Sequence, residues 1–217
     1  MIITRIYCGL GNQMFQYAVG RRLALERGVP LGLETTFYRT NSFRQYRLDH
    51  FRIAGRVLTD RELRVLEPPS GRWEKLARRI RRQRPYRSYF EHAFRFHPEV
   101  VDAPKNSYVA GYWQSEKYFD TVADTIRADF ALVAPMTAPR AAIRDGMRGA
   151  NAVSLHIRRG DYASDPEITA KHGLIPIPWY EDAVRFIKAR VPDTVFYVFS
   201  DDPDWAEAHL KLSDPCV

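Results

Sequence analysis

The sequence predicts an α/β fold built on parallel sheets, and three observations support this class. Short apolar stretches rich in β-branched residues, typical of buried strands, recur along the chain. Each is followed by a segment whose apolar residues repeat every three or four positions, as on one face of a helix. Glycine or proline separates the two kinds of segment. Strands that alternate with helices in this way favour parallel sheets.

The first part of the chain contains most of these elements. The first predicted strand covers residues 1–7, and the helix after it begins near Asn12 and ends at Gly28, with a proline just beyond. The same patterns predict four more elements: a strand at 30–37, a helix that starts at the capping box Thr59–Glu62, a strand at 107–113 and a helix at 115–130.

A second alternation of strands and helices begins near residue 150. The stretch 152–157 is almost entirely apolar, which predicts a strand buried on both faces. A helix opened by Pro178, a strand at 194–199 and a helix opened by Pro203 follow. We therefore place an N-terminal lobe at residues 1–148 and a C-terminal lobe at 149–217.

Bulk composition limits the protein class. A chain of 217 residues with 45% hydrophobic content can bury a core in one large or two small domains. It has no apolar run of about 18 residues that could span a membrane, and its start does not resemble a signal peptide. Cys8 and Cys216 lie at opposite ends without metal-ligand spacing. We therefore expect a cytoplasmic protein with no disulfide framework and no zinc site.

The net charge of +7 is concentrated in one segment, Arg72–Arg87, which holds eight basic residues and a single acid. A solvated helix face is the simplest interpretation. Contact with anionic lipid headgroups, and so a peripheral position at a membrane, is the second. An anion- or RNA-binding module organised around this segment is the third, but no motif for reading nucleic acid accompanies the charge, and we expect no nucleic-acid partner.

The segment HIRRGDY, residues 156–162, carries the strongest chemical signal. His156 and Arg158 share one side of an extended strand, at the carboxyl end where open α/β sheets bind ligands. Arginine suits a phosphate there because its planar guanidinium donates two hydrogen bonds and stays charged. The alternative is that the arginines pair with surface carboxylates and that His156 is a core residue.

The segment CGLGNQMFQYA, residues 8–18, places two glycines between a strand and a helix, so that backbone N–H groups can approach an anion. Met14 stands where a dinucleotide fingerprint has its third glycine, which disfavours NAD and FAD. Asn12 and Gln13 would offer neutral donors at the mouth of the turn. The alternative is a plain tight turn with an asparagine cap.

The segment VFSDDPDW, residues 198–205, places two carboxylates after a buried strand. Asp202 precedes Pro203 and is a natural helix cap. It could also accept hydrogen bonds from the N1–H and 2-amino groups of guanine, a pair of donors that adenine lacks. A metal-binding pair of Asp202 and Asp204 is a third interpretation, but their position in a first helical turn favours capping.

These three segments, in this order, resemble the α-1,2-fucosyltransferases of glycosyltransferase family 11, as does GYWQSEKYF at residues 111–119. The resemblance implies a two-lobed GT-B-like fold, a GDP-β-L-fucose donor and inversion at the anomeric carbon. It also implies a terminal β-galactoside acceptor on the side of the N-terminal lobe, and neither a metal nor a cofactor. A glycosyltransferase on the same scaffold that uses another GDP-sugar is the alternative.

The resemblance also assigns roles to residues. Arg158 would bind the β-phosphate, Asp161 would orient the arginines, and these two would be catalytic. Arg159 would hold the loop or add to the positive field, and Gly160 would permit the turn. His156 and Asp202 would frame guanine. The implied substrate-binding set is Gly11, Asn12, Gln13, His156, Arg158, Arg159 and Asp202. By chemistry alone, Asp161, Glu181 and Asp201 are candidates for the general base.

One departure from the family pattern concerns the second lobe. Family members continue beyond the SDD segment into a Ser/Trp-rich motif, whereas this sequence ends at Val217 without a match to it. The resemblance therefore implies an incomplete second lobe, and a chain truncated in this way would be inactive or poorly stable.

Overall fold

The computed structural model describes residues 1–67, 71–73 and 85–211. The chain divides into two compact units, Met1–Pro135 and Met136–Val217. This division lies before the boundary at 148/149 expected from the sequence, because the helix Ala138–Arg148 packs against the sheet of the second unit. An ideal Cβ built on Gly146 of this helix would lie 3.1 Å from the hydroxyl of Tyr197 in that sheet.

The first unit contains a five-stranded sheet in which every pairing is parallel. Its strands are β1 Ile2–Arg5, β2 Leu31–Glu34, β3 Arg56–Val57, β4 Arg87–Phe90 and β5 Ser107–Ala110. Their order across the sheet is β3-β2-β1-β5-β4, so β1 lies at the centre. The α-helices of this unit are α1 Leu10–Arg27, α2 Phe37–Thr40, α3 Asp60–Leu63, α4 Pro98–Val101 and α5 Ala123–Asp129.

The core of the first unit lies between β1 and α1. Ile2 of β1 and Tyr17 and Leu23 of α1 are buried in one cluster. Gly20 of α1 lies so close to β1 that an added Cβ would come within 2.8 Å of Thr4 Cγ2. The helix ends where predicted, because Gly28 adopts a left-handed conformation (φ +58°) and donates its N–H to carbonyls of the last turn.

Two local predictions for the first unit have different outcomes. The capping box is confirmed: Thr59 Oγ1 accepts from Glu62 N–H, and the Glu62 carboxylate accepts from Thr59 N–H. The helix predicted at 115–130 is only partly right, since 3₁₀ turns at Glu116–Tyr118 and Asp120–Val122 precede α5. Tyr118 is buried, and its hydroxyl accepts from the N–H of His97, so tertiary contacts hold this stretch out of a regular helix.

The described part of the second unit contains a two-stranded parallel sheet, with β6 Asn151–Ile157 paired to β7 Thr194–Ser200 along its full length. Its helices are α6 Ala138–Arg148, α7 Gly160–Ser164, α8 Pro166–His172, α9 Ile177–Lys188 and α10 Pro203–His209. Leu155, Ile157 and Phe196 pack against Tyr180 and Val184 of α9.

The prediction that the strand at 152–157 is buried on both faces is wrong for this unit. Leu155 and Ile157 are buried, whereas Ser154 and His156 between them are exposed. Side chains alternate across a strand, so β6 buries one face only. Across the residues that the structure describes, no helix is both long and apolar enough to cross a membrane.

Candidate functional site

The HIRRGDY turn of the second unit lies at the carboxyl end of its sheet. Strand β6 ends at Ile157, and Arg158 and Arg159 lead into α7. In the register of the sheet, Ile157 pairs with Ser200, the last residue of β7. The two arginines therefore emerge beside Asp201, the first residue after β7, at the edge where parallel sheets bind ligands.

Asp201 is the residue that fixes this turn. Its Oδ1 accepts a hydrogen bond from the N–H of Arg159 at 2.7 Å, and its Oδ2 lies 3.0 Å from Nη1 of Arg158. A Cβ at Gly160 would lie 2.5 Å from Oδ2 of Asp201. The turn therefore needs glycine at 160 because any side chain there would push the carboxylate away.

Electrostatics keep the Asp201 carboxyl ionised. Burial is the largest single influence and acts to raise its pKa. The hydrogen bond from Arg159 N–H, the charge of Arg158 and further backbone hydrogen bonds, including one from Gly160, outweigh burial, so the pKa lies below its ordinary value. A carboxylate held in this state is a stable acceptor for the turn and a poor proton acceptor for chemistry.

Arg158 lies between two carboxylates. Its Nη2 is 2.5 Å from Oδ1 of Asp161, and its Nη1 faces Asp201. One third of the Arg158 side chain, 33%, is still exposed. The five N–H donors of a guanidinium exceed what these contacts use, so the group is oriented and can still receive an anion. The orienting role of Asp161 stays a prediction.

Arg159 is held by an aromatic ring. Its guanidinium carbon lies 3.9 Å from the centre of the Trp205 ring, and its Nε is buried without a hydrogen-bond partner. Trp205 in turn stacks on His209, with ring centres 4.3 Å apart. A cation over an indole face is an attractive contact, so Trp205 holds the Arg159 side chain in place. Sequence reasoning missed Trp205, although DDPDW places it one turn into a helix beside the site.

The structure gives each of the two residues predicted to frame guanine its own surroundings. Oδ1 of Asp202 accepts from the N–H of Trp205 at 3.2 Å, so this side chain caps α10, as the simpler interpretation held. His156 is exposed on β6 and pairs in register with Phe199, which is also exposed. Register partners in a parallel sheet point to the same face, so His156 lies beside an aromatic ring that the sequence did not single out.

The first unit presents its own glycine turn after β1. Cys8 adopts a left-handed conformation (φ +66°), and Gly9 precedes the first residue of α1. Gly11 and Asn12 lie in the first turn of that helix and are at least partly accessible. Oδ1 of Asn12 accepts from Nε2 of Gln114 at 2.7 Å. The N-terminal turn of an 18-residue helix is favourable for an anion, and this turn is open to one.

Gln13 does not offer donors at the mouth of this turn, contrary to the prediction. Its side chain is fully buried, with Nε2 donating to the carbonyls of Cys8 and Gln45 and Oε1 accepting from the N–H of Arg47. The Gln13 amide binds the backbone of residues 45 and 47, in a loop that is distant in sequence. The structure therefore gives Gln13 a structural role in place of the predicted substrate contact.

The GYWQSEKYF segment follows β5 at the same edge of the first sheet. Trp113 is fully buried with a left-handed backbone (φ +54°), and the Glu91 carboxylate accepts from the N–H groups of Tyr112 and Trp113. Gly111 has no room for a side chain, since a Cβ would lie 2.5 Å from Cβ of Glu91. Trp113 is therefore core, and Tyr112 is the accessible aromatic of the pair.

Two other predictions concern metals and the basic segment. Among the described residues there is no group of three or more His, Cys, Asp or Glu side chains that could hold a metal ion. Most of Arg72–Arg87, namely residues 74–84, lies outside the described ranges. Its contact with an anionic surface stays a prediction.

Comparison with known proteins identifies relatives along the chain. The model of the family described as glycosyl transferase family 11 matches residues 75–216. An alpha-1,2-colitosyltransferase of Escherichia coli is 31% identical over 216 residues, which is 96% of this chain and 71% of the relative. The O-antigen biosynthesis glycosyltransferase WbnK of Escherichia coli is 50% identical over 58 residues, covering 27% of this chain and 19% of that protein.

Solved structures share the fold. Crystal structures of the NodZ alpha-1,6-fucosyltransferase, one soaked with GDP-fucose and one co-crystallized with GDP, superpose with TM-scores of 0.50 and 0.51. They are 18% and 16% identical to this chain and cover all of it and 76% of NodZ. The GT-B-like class and the parallel α/β prediction are thus confirmed. From the family model and the colitosyltransferase, we conclude that the chain belongs to glycosyltransferase family 11.

Proposed function

We propose that the protein transfers L-fucose from GDP-β-L-fucose to the 2-hydroxyl of a terminal β-galactoside, with inversion at the anomeric carbon. The observation that carries the proposal is the fixed guanidinium of Arg158 at the carboxyl end of a parallel sheet, in a chain that belongs to a glycosyltransferase family. No metal is part of the proposed reaction, because the guanidinium supplies the positive charge at the leaving group.

Donor binding would begin with the β-phosphate at Arg158. The carboxylates of Asp161 and Asp201 already occupy two of its donors, so the phosphate must share or displace them. Partly exposed ion pairs contribute only about 0–1 kcal/mol each. The pyrophosphate of a nucleotide sugar carries two negative charges, and a phosphate group can accept two parallel hydrogen bonds from a guanidinium, which favours the exchange.

The guanine base would rest on the exposed face of β6 and β7. His156 and Phe199 lie side by side there, and a planar base can stack on such rings. Asp202 would accept hydrogen bonds from guanine through Oδ2, because its Oδ1 caps α10. Gly11 and Asn12, in the accessible first turn of α1, would bind substrate, as the resemblance implies.

In the proposed reaction, the acceptor 2-hydroxyl oxygen attacks the anomeric carbon from the face opposite GDP. The bond from that carbon to the β-phosphate oxygen breaks, its electron pair leaves with GDP, and the hydroxyl proton passes to a base. Arg158 stabilises the charge that develops on the phosphate, and such preorganised charge is often the largest contribution to catalysis. The contacts of Asp161 and Asp201 favour holding Arg158 over the base role considered earlier.

The similarity to the Escherichia coli colitosyltransferase favours a second candidate donor. That relative is an alpha-1,2-colitosyltransferase at 31% identity, so transfer of a colitosyl group is the alternative to fucosyl transfer. The linkage in its name supports attack by a 2-hydroxyl in both cases.

A donor panel tests the proposal. The chain is incubated with lactose and GDP-fucose, GDP-colitose or GDP-mannose in turn, and products are analysed by mass spectrometry and NMR. An α-1,2-linked fucosyl product supports the main proposal, and a colitosyl product with no fucosyl product supports the second. Transfer from GDP-mannose alone, or a product with retained configuration, contradicts both.

A further inference from the structure

Two neighbouring cavities open at the carboxyl edge of the first sheet. One has a volume of about 260 Å³ and the other about 330 Å³. Glu91 and Phe94 line both of them, so these two side chains form a wall that the cavities share. Ligand pockets usually measure about 300–1,000 Å³, so each cavity alone suits one small group and the pair suits a longer ligand.

The smaller cavity is largely aromatic. Its walls include Tyr7, Phe90, Phe94 and Tyr112, and Arg5 and His92 add polar edges. The Phe94 and Tyr112 rings lie 5.6 Å apart at a shallow angle of 34°. Phe94 is 81% exposed, so its ring is accessible to a ligand.

The tyrosine hydroxyls of this cavity stay protonated. The hydrogen bond with the Cys8 thiol, followed by burial, raises the pKa of Tyr112 to about 12. Burial also raises the pKa of Tyr7. Both groups can therefore donate hydrogen bonds to sugar hydroxyls near neutral pH, while the neighbouring rings pack against the C–H face of a pyranose.

The larger cavity is polar and lies next to the glycine turn. Gln114, Arg95 and Lys117 line it, and Nε2 of Gln114 donates to Oδ1 of Asn12 in the first turn of α1. The aromatic cavity also reaches this turn, because the hydroxyl of Tyr112, which lines it, lies 3.6 Å from the Cys8 thiol.

We propose that the first unit binds its acceptor through two subsites separated by Phe94, so that an acceptor of at least two sugar rings occupies both. The ring that receives the transferred sugar lies in the polar cavity beside Gln114, and the next ring stacks on Phe94 in the aromatic cavity. That the ligand is a galactoside rests on the proposed function, whereas its length of at least two rings rests on the presence and volumes of the two cavities.

NMR titrations with lactose and methyl β-D-galactoside test this inference on the wild-type chain and on Phe94→Ala. We expect lactose to bind more tightly than the monosaccharide. Phe94→Ala should raise the Kd for lactose by roughly two- to tenfold, the loss expected for one aromatic contact. The Kd for the monosaccharide should rise less, because a single ring contacts Phe94 from one cavity only. Phe94→Trp, which keeps a stacking surface, should retain the preference.

Phe43→Ala is the matched control, because Phe43 is a 90% exposed phenylalanine of the same unit that lines neither cavity. Equal Kd values for the two saccharides, an unchanged Kd for lactose in Phe94→Ala, or no binding of either saccharide would overturn the inference. GDP titrated into the same samples separates this result from the proposed function. A chain that binds lactose as expected but not GDP would refute the donor proposal and leave the subsites standing.

Discussion

In the first unit, the turn after the central strand is held by the buried amide of Gln13, whereas in the second unit the turn after β6 is held by the partly exposed carboxylate of Asp201. The Gln13 contacts are neutral hydrogen bonds inside a core. The Asp201 contacts are an ion pair and a charge-assisted hydrogen bond at the edge of a sheet. An anion can compete for the second set but not for the first.

The hydrophobic core around the turn of the first unit is also larger than that of the second unit. Among the described residues, sixteen buried hydrophobic residues form the core cluster of the first unit and seven form that of the second. Each fully buried large apolar side chain contributes about 1.5–3 kcal/mol, so the first unit has more stability with which to fix a rigid turn. The turn after β1 is therefore held by fixed neutral hydrogen bonds, whereas the ionic contacts of the turn after β6 can be replaced by contacts with a bound anion.

The largest effect we expect is on catalysis, from Arg158→Ala. Removing the donor that faces the leaving phosphate should lower kcat by about a hundredfold or more, while circular dichroism stays that of the wild type. Arg185→Ala is the control, since Arg185 is an exposed arginine of the same unit that pairs with Asp182. Wild-type turnover in Arg158→Ala would show that Arg158 has no catalytic role and that neither turn supplies the charge at the leaving phosphate.

The next effect is on stability, from Gln13→Ala. This change leaves two backbone carbonyls and one N–H without their partner, and one buried unsatisfied group costs about 1–3 kcal/mol. Urea unfolding should therefore show a loss of at least that size. Asn12→Ala, which removes only a contact with the exposed Gln114, should cost much less. Equal losses in the two variants would show that Gln13 does not hold the turn.

Gly160→Ala should disturb the second turn without touching either arginine. The new Cβ would meet Oδ2 of Asp201 at 2.5 Å and push the carboxylate off Arg158. We expect GDP affinity to fall roughly tenfold, or about 1.4 kcal/mol. Gly149→Ala is the control, because its Cβ would have only ordinary contacts, the nearest at 3.7 Å. Similar GDP affinities for the two variants would rule out the steric role of Gly160.

The smallest effect is a pH dependence that belongs to Asp201. Its pKa is lowered in the folded chain, so its contribution to the free energy of unfolding is present above the ordinary value of 3.8 and is lost as pH falls through the lowered pKa. For a partly exposed pair this is at most about 1 kcal/mol. The stability difference between wild type and Asp201→Asn should be constant from neutral pH to near 4. A difference that shrinks already near pH 6 would contradict the assignment.

Local patterns in the sequence were enough for the parallel sheets, the capping box at Thr59 and the cap at Asp202. They were not enough for features set by distant contacts. The burial of Gln13 depends on the loop around Gln45, which no local pattern connects to it. Which of two adjacent aspartates faces the arginines depends on the register of β6 and β7, and that register selects Asp201.

Calorimetric titration of GDP is the most direct test of the central claim, which is that Arg158 receives a phosphate at the end of β6. GDP should bind the wild-type chain and should fail to bind Arg158→Ala. A variant with the arginines of residues 72–87 neutralised should keep wild-type affinity, because the proposed phosphate contact belongs to Arg158. Unchanged GDP binding in Arg158→Ala, or loss of binding only when the basic segment is neutralised, would contradict the account and favour an anion-binding module at the basic segment.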